Sequence, residues 1–573
     1  MINTLKEKFS WPPPKRLAEA VKNEGRKTKG PSGTLDVYTL PLKAQPMNVE
    51  GCKRFIFGKD SVKKNRTIMV LGATGAGKST LVNRMINYIL GVTWEDTFRF
   101  KLVDEGTAKS QAHSQTTEVT VYKLNHREGF QIDYSLTIVD TPGFGDTGGI
   151  EKDRMIISQL QRLFSAEHGV SEIDAICFVA QASLARLTPT QKYIFDSVLS
   201  IFGKDVAENI RILVTFADGQ PPSVLQAIKE SEVPCPKEKD GLPIHFKFNN
   251  SALFADNKVT GANNKGDDNE DDDDDEEEEG FEQKFWAMGT RSMKKLFSAL
   301  NAINTKSLTL TKEVLRQRAQ LENSIENLQI KLKLGLTKLG EIDQECKILQ
   351  KQEMAITANE AFEYEVSVTR LVKVKAKESS LNCEKCNVTC HKSCKVQFGA
   401  MYYCEVFNWR GNCVECKSKC PLSAHVREGF YWGSETVKEK RTFKELKEKY
   451  EMASKAAMSI ADIIKQMELE YARLHEEVVR LMERSAQCLN TLKEIALKPD
   501  PLSMPEYIDL LIEAEKSEAK PGYLERINKL MELKKKAITT GKVASGATVV
   551  AMWGQDSPAA STSPSAKGTG SIQ

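Results

Sequence analysis

Thr67-Ile-Met-Val-Leu-Gly72-Ala73-Thr74-Gly75-Ala76-Gly77-Lys78-Ser79-Thr80-Leu-Val-Asn83 is the stretch that decides the fold around it. TIMVLG reads as a buried strand, and STLVNRMINYIL, from Ser79 to Leu90, reads as a helix. Between them the glycine-rich segment fits G-x-x-x-x-G-K-[ST] in the strand–loop–helix setting that the motif requires. Its glycines let the main chain curl so that successive N–H groups face phosphate oxygens, and the helix start adds its positive end. Gly72, Ala73, Thr74, Gly75, Ala76, Gly77, Lys78, Ser79 and Thr80 are therefore the predicted phosphate-binding residues. Lys78 is placed between the β- and γ-phosphates, and the Ser79 hydroxyl on Mg²⁺.

Outward from this loop, the apolar runs SLTIVD (135–140), AICFVA (175–180), RILVTF (211–216) and HFKFNN (245–250) alternate with helical text such as PTQKYIFDSVLSIF (189–202). That alternation predicts an α/β P-loop NTPase fold, a mostly parallel sheet with helices on both faces. Asp140-Thr-Pro-Gly143 ends the SLTIVD strand: Asp140 is a second handle on Mg²⁺, and the Gly143 N–H meets the γ-phosphate. In His113-Ser-Gln-Thr-Thr117, Thr116 is the chosen switch hydroxyl for Mg²⁺ and Thr117 the alternative. Lys78 and Thr116 are the candidate catalytic residues. Thr215-Phe-Ala-Asp218 supplies base choice, because the Asp218 carboxylate accepts from the two donors on the guanine edge, where adenine presents the opposite pattern. Phe216 stands where lysine is usual in such a motif, its aromatic face available to cover the base. Asn250-Ser251-Ala252 places the Ser251 N–H near the guanine oxygen.

GATGAGKSTLVN, DTPGFGDTGG and TFADG together resemble the AIG-type and septin-like branch of the TRAFAC GTPases, relatives of the GIMAP proteins and the chloroplast import-receptor GTPases. The resemblance covers about Thr67 to Phe254. With the NC-x-x-C-x-x-x-CH-x-x-C stretch downstream, the layout looks like a group of animal AIG-type G-domain proteins. The resemblance implies GTP binding, slow hydrolysis and self-association of the G domain. Gly143 is followed by Phe144-Gly145, so no glutamine stands where Ras-like proteins orient the attacking water. The expectation is slow turnover, raised by a residue donated across a dimer interface, with the polar groups and arginine of Asp146 to Arg154 as candidates. The rival expectation is a scaffold that binds GTP without useful turnover.

Beyond the G domain, read as residues 35–300, the text changes. Residues 1–34 are polar and Pro/Lys-rich and predict disorder. Asp267 to Glu279 carries 12 acidic residues within an insert, 262–280, that repels itself and reads as a disordered loop. Ile325, Leu332, Leu339 and Cys346, interleaved with Leu321, Leu328, Ile342 and Leu349, form a heptad seam that Gly335 interrupts; residues 305–365 are read as one coiled-coil helix. A second seam (Leu446, Tyr450, Ala453, Ala457, Ile460, Ile464, Met467, Tyr471, Leu474, Val478, Leu481) marks 435–498. An antiparallel hairpin with the intervening module at its tip competes with an intermolecular coiled coil. Residues 499–538 predict further helices and 540–573 a disordered tail.

The module, 366–432, holds eight of the chain's 13 cysteines. Cys383, Cys386, Cys390, His391, Cys394, Cys404, Cys413, Cys416, Cys420 and His425 are the candidate Zn²⁺ ligands, since two thiolates from one tight C-x-x-C turn reach the same metal. Ten ligands suit two zinc ions with two spare. Cys390 competes with His391, Cys404 competes with His425, and the pairing of knuckles stays open. Disulfides are the alternative. The N-terminus has no apolar signal region, and no apolar run approaches the ~20 residues of a membrane helix, so a reducing cytoplasm is expected. The C-terminus, TGSIQ, has no prenylation cysteine. The expected partners are GTP and GDP, a second copy through the G domain or the coiled coil, and a further protein; membrane contact stays open. A net charge of +3, with no basic aromatic block, argues against a nucleic-acid partner.

Overall fold

The computed structural model describes residues 16–28, 35–47, 49–102, 118–145, 149–185, 189–255, 257, 280–351, 363–394, 396, 401–454, 458–500, 505–518 and 523–545. It divides into two compact units. One is Met1–Leu315 with Ile495–Pro501 and Leu510–Asn528; the other is Arg316–Glu494 with Leu502–Asp509 and Lys529–Gln573. The acidic insert, the switch threonines Thr116 and Thr117, and the tail beyond residue 545 lie outside the described residues. Among the described residues no helix is long and apolar enough to cross a membrane.

In the first unit the chain runs α1 (Leu17–Glu24), β1 (Arg26–Thr28), β2 (Asp36–Thr39), β3 (Lys43–Gln45), β4 (Cys52–Phe57), β5 (Asn65–Gly72), α2 (Lys78–Ile89), β6 (Phe98–Lys101), β7 (Val119–Leu124) and β8 (Ser135–Asp140). It continues through α3 (Ile150–Ser165), β9 (Glu172–Ile173), β10 (Ala175–Gln181), α4 (Pro189–Leu199), β11 (Ile210–Thr215), α5 (Val224–Glu230), β12 (His245–Lys247), α6 (Phe281–Ala302) and β13 (Lys306–Ser307). The main sheet has the order β12-β11-β10-β5-β8-β7-β4-β3. β5 pairs parallel with both β8 and β10, while β7 runs antiparallel to β8. Every residue of β8 and β11 is buried, as expected of central strands covered on both faces, and the apolar runs of the sequence follow from this. From β5 the chain goes first to the β8 side and then crosses to β10. The order therefore reverses at β5, and the crevice beyond its carboxyl end is where this architecture holds ligands.

Two local outcomes differ from the sequence reading or complete it. The stretch expected to be disordered through residue 34 is ordered from Leu17 to Thr28: Ala18 and Val21 are fully buried in the sheet's core cluster, and Glu24 accepts from Arg127 at 2.9 Å. α6 packs back on the same core through Trp286, Met293, Leu296, Phe297 and Leu300, with the Arg84 guanidinium of α2 4.7 Å from the Trp286 ring.

The second unit is built on α7 (Thr309–Lys351), whose heptad residues do not wait for another molecule. Ile325 and Leu328 bury against Val478 and Leu481 of the helix Ile460–Ile495, and Ile342 packs with Leu446, Tyr450, Ile463 and Met467. The salt bridges Lys331–Glu477 (2.7 Å) and Lys338–Glu470 (3.0 Å) run in opposite number order, so the two helices lie antiparallel within one chain. α7 continues through Gly335. The side chains of Leu339, Cys346, Leu349, Ala453 and Ala457 lie outside the described set.

The cysteine module is not at the tip of this pair. It is carried by β14 (Glu363–Cys383) and β16 (His425–Thr442), antiparallel from Glu363↔Thr442 to Cys383↔His425. The hairpin folds back along α7: the Tyr364 hydroxyl donates to Glu345 at 3.2 Å, Thr369 to Thr337 at 2.7 Å, and Asn327 to the Thr389 carbonyl at 3.1 Å. Thr389 lies in the short strand β15 (Val388–His391). The module thus rests on the N-terminal half of α7.

Candidate functional site

The phosphate loop is held in shape by three neighbouring segments. At Gly72 (φ +152°) a Cβ would stand 2.5 Å from the Val179 carbonyl oxygen, so only glycine lets β5 turn there. Thr74 N–H donates to the Phe144 carbonyl at 2.9 Å, and Phe144 N–H donates to that of Gly72 at 3.2 Å, zipping the loop to the DTPGF segment. Gln181 Nε2 donates to the Gly75 carbonyl at 3.0 Å, and Thr215 Oγ1 to that of Ala76 at 2.8 Å. Lys78 is buried, with Nζ donating to the Gly72 and Ala73 carbonyls at 3.1 and 2.8 Å. Its ammonium is therefore held against the first two carbonyls of the loop.

Gly72 to Thr80, Asp140, Gly143 and Thr215 converge at the carboxyl ends of β5, β8 and β11. Asp140 is the last residue of β8, in register with Val70 of β5, and is buried. The buried Tyr122 phenol is pushed up by desolvation and further by the Asp140 charge. Ser79, one residue inside α2, and Asp140 are the described side chains suited to Mg²⁺. Thr215 is turned inward, with its hydroxyl on the Ala76 and Ala180 carbonyls, so it braces the loop from beneath.

At one end of this crevice Asp218 is exposed, and one carboxylate oxygen accepts the local Gln220 N–H at 3.0 Å. Phe216 takes a left-handed backbone (φ +54°) and is 56% exposed; its ring lies 3.6 Å from where a Cβ on Gly77 would be. The aromatic face thus stands beside the phosphate loop, two residues before the Asp218 carboxylate. Ser251 does not present its N–H as expected: both N–H and Oγ donate to Asn249 Oδ1, at 3.2 and 2.8 Å. Asn249 in turn donates to the Ala217 carbonyl at 3.1 Å, so this segment positions the Asp218 loop. The sequence reading missed Gln181 and Phe144. Their signal was position alone, one residue past a buried apolar run and one past the Asp-x-x-Gly.

The cysteines gather more completely than expected. Cys383, Cys386, Cys416 and Cys420 bring one ligand atom each to within 4.8 Å of one another; so do Cys390, Cys413, Cys416 and His425, and so do His391, Cys394 and Cys404. All ten candidates are used, in three groups where two were expected, and Cys416 belongs to two of them. Cys390 and His391 do not compete, nor do Cys404 and His425, because they fall in different groups. The Cys386–Cys420 and Cys394–Cys404 sulfurs are 3.7 and 3.8 Å apart. A tetrahedron with ~2.3 Å metal–sulfur arms has edges of ~3.8 Å, whereas a disulfide would bring them to ~2.05 Å. His425 shares its Nδ1 with the Pro421 carbonyl at 2.9 Å, leaving Nε2 buried without a hydrogen-bond partner. That is the arrangement of a metal-ligating imidazole whose tautomer is fixed from outside. The donor set therefore fits Zn²⁺.

Comparison with known proteins gives the same reading for the first unit. A family model described as Septin matches residues 63–169. Protein peanut of Drosophila melanogaster is 32% identical over 114 residues, 19% of this chain and 19% of its own length. The translocase of chloroplast 34 homolog of Chlamydomonas reinhardtii is 26% identical over 156 residues, 27% of this chain and 36% of its own. The chain thus spans less than half the length of these curated relatives. Among solved structures, Toc33 from Arabidopsis thaliana in complex with Mg²⁺ and GMPPNP aligns over 41% of this chain and 86% of that one, at 16% identity and a TM-score of 0.25. Phosphate loop, Asp-x-x-Gly and the match to the septin model fall on one sheet, and together they support a septin- and Toc-like P-loop GTPase domain in that part of the chain.

Proposed function

We propose that this protein binds GTP and GDP with Mg²⁺ at the Gly72–Thr80 loop and turns GTP over slowly, its nucleotide state acting on the helical unit that carries the cysteine module. The observation that carries the reading is the buried Lys78 ammonium held on the Gly72 and Ala73 carbonyls of the loop, with Asp140 at the adjoining strand end and Gly143 just beyond it. Bound Mg²⁺ would neutralise charge between the β- and γ-phosphates. Ser79 and Asp140 would hold it, Lys78 would sit on the phosphate oxygens, and Asp218 with Phe216 would read and cover the guanine.

Slow turnover is supported by Phe144-Gly145 following Gly143, which leaves no side chain there to orient water. Activation by a second copy remains part of the proposal. The cysteine module is proposed to hold Zn²⁺ and to serve as a clamp on α7, and the free thiols favour a reducing compartment, the cytoplasm.

Titration of the full chain with fluorescent GTP and GDP tests the first claim. Binding in the presence of Mg²⁺, weakened at least about tenfold by Lys78→Ala, is expected. Unchanged affinity in that variant rejects the site. Single-turnover phosphate release at rising protein concentration tests the second. A rate that does not rise rejects activation by a second copy, and no release at all favours the non-hydrolysing scaffold.

A further inference from the structure

The three cysteine groups are not equivalent. Cys383, Cys386, Cys416 and Cys420 offer four ligand atoms, and Cys390, Cys413, Cys416 and His425 offer four, with the Cys416 thiolate common to both. Four protein ligands close a tetrahedral site. His391, Cys394 and Cys404 offer three, and no further Cys, His, Asp or Glu joins them among the described residues. The segment between Cys394 and Cys404 that lies outside the described residues contains only Lys395, Gln397, Phe398, Gly399 and Ala400, none of them a usual zinc ligand.

Glu405 does not supply the fourth ligand. Its Oε1 is 3.1 Å from His391 Nε2, on the outer side of the ring, while His391 Nδ1 faces the Cys404 sulfur at 3.1 Å. This is a carboxylate that orients a ligating imidazole. Cys394 and Cys404 are buried, while the His391 and Glu405 side chains are 17% and 15% exposed, so solvent reaches the outer side of the ligating ring.

We propose that His391, Cys394 and Cys404 hold a third zinc ion with an open fourth position, beside a closed pair of zinc ions bridged by Cys416. This rests on the zinc reading of the module given above. Two thiolates and a neutral imidazole leave the Zn²⁺ centre formally neutral, so the open position takes water or one soft donor, a thiol. When a thiol enters, the bound water leaves, the thiol proton goes to solvent and no electron is transferred. A site of three protein ligands and one exchangeable one is the form zinc takes where it meets a ligand rather than merely staples a fold.

Metal analysis of the purified full chain is expected to give three zinc ions per chain. Two ions overturn the third site and leave the module's zinc reading standing; none overturns both, without touching the nucleotide site. In cobalt-substituted protein, 2-mercaptoethanol is expected to shift the thiolate-to-cobalt absorption of one equivalent in three. An unchanged spectrum means that the fourth position is closed, and overturns the proposal. Cys404→Ser is expected to lose one zinc and the thiol response together. Should that variant not fold, chelator competition on the unaltered protein decides: one zinc leaving well ahead of two is expected, and three leaving together overturn it.

Discussion

Gly143 lies flat against Thr74: a Cβ on Gly143 would stand 2.4 Å from Thr74 Oγ1 and 2.7 Å from its amide nitrogen. Both partners are on the loops proposed to meet the phosphates, so the two halves of the site are fitted closely to each other. Gly143→Ala must push these loops apart. Overpacking of this kind costs about 1–3 kcal/mol, and here the strain falls on the amides that bind phosphate. The variant is expected to lose about tenfold or more in GTP affinity, with a modest fall in melting temperature. Normal affinity in a folded variant would show that the loops can separate freely.

In the proposed nucleotide site Phe216 and Asp218 divide the work at the base. The ring is largely exposed and held by a left-handed backbone beside Gly77, so its removal takes little from the core. Phe216→Ala is expected to weaken GTP and GDP alike, several-fold, with the melting temperature nearly unchanged. Asp218→Asn places an amide donor opposite the guanine donors, and about 1–3 kcal/mol of base discrimination is at stake for each unpaired polar group. Competition between GTP and ATP or XTP reads it: selectivity for GTP should collapse in Asp218→Asn and survive in Phe216→Ala.

The phosphate loop, the central strands and the zinc-ligand candidates were legible because each is a local pattern whose chemistry is fixed by neighbours in sequence. Gly72 to Ser79 needs only its own glycines and the strand before it. The same is not true of Leu17 to Glu24, where two small apolar residues, Ala18 and Val21, count as core only because a sheet waits for them. Nor could spacing show that Cys390 and His391, adjacent in the chain, serve different groups, since successive strand residues such as these in β15 face opposite sides. The heptads announced two helices but not their partner. That was settled by Lys331, Lys338, Glu470 and Glu477, charges that the apolar pattern ignores. The fold-back of the module is held by long-range contacts such as Tyr364 with Glu345 and Thr369 with Thr337, and nothing in a period-two strand says which way it will lie.

Glu415 is the buried joint between the cysteine module and both long helices. Its carboxylate accepts from Arg484 Nε at 3.0 Å and from Ser324 at 3.2 Å, and its carbonyl accepts from Arg480 at 3.1 Å. Burial raises this carboxyl, and the Arg484 charge opposes that rise. Arg484→Met leaves the carboxylate buried without its cation, a loss worth about 3–5 kcal/mol. Chemical denaturation should show the destabilisation, and the double variant with Glu415→Gln should recover much of it. An additive double variant would mean that the pair is not coupled.

Glu345 carries a pH dependence of known sign. Its side chain is buried beneath Arg441, with the Tyr364 hydroxyl donating to one oxygen, and its carboxyl is raised by burial and by the nearby Glu341 charge, against the pull of Arg441. A folded-state value above the unfolded one, ~4.3, means that the fold prefers the protonated form. Its contribution is fully present below the unfolded value and is lost as pH rises through the folded one. At neutral pH the ionised group is therefore a burden, and Arg441 keeps Glu341 as a partner at 2.6 Å when Glu345 is neutralised. Glu345→Gln keeps the acceptor for Tyr364 and removes the charge. It is expected to melt higher than the unaltered protein at pH 7, with the difference closing below about pH 4. A variant that melts lower at pH 7 would place the balance on the side of the Arg441 attraction instead.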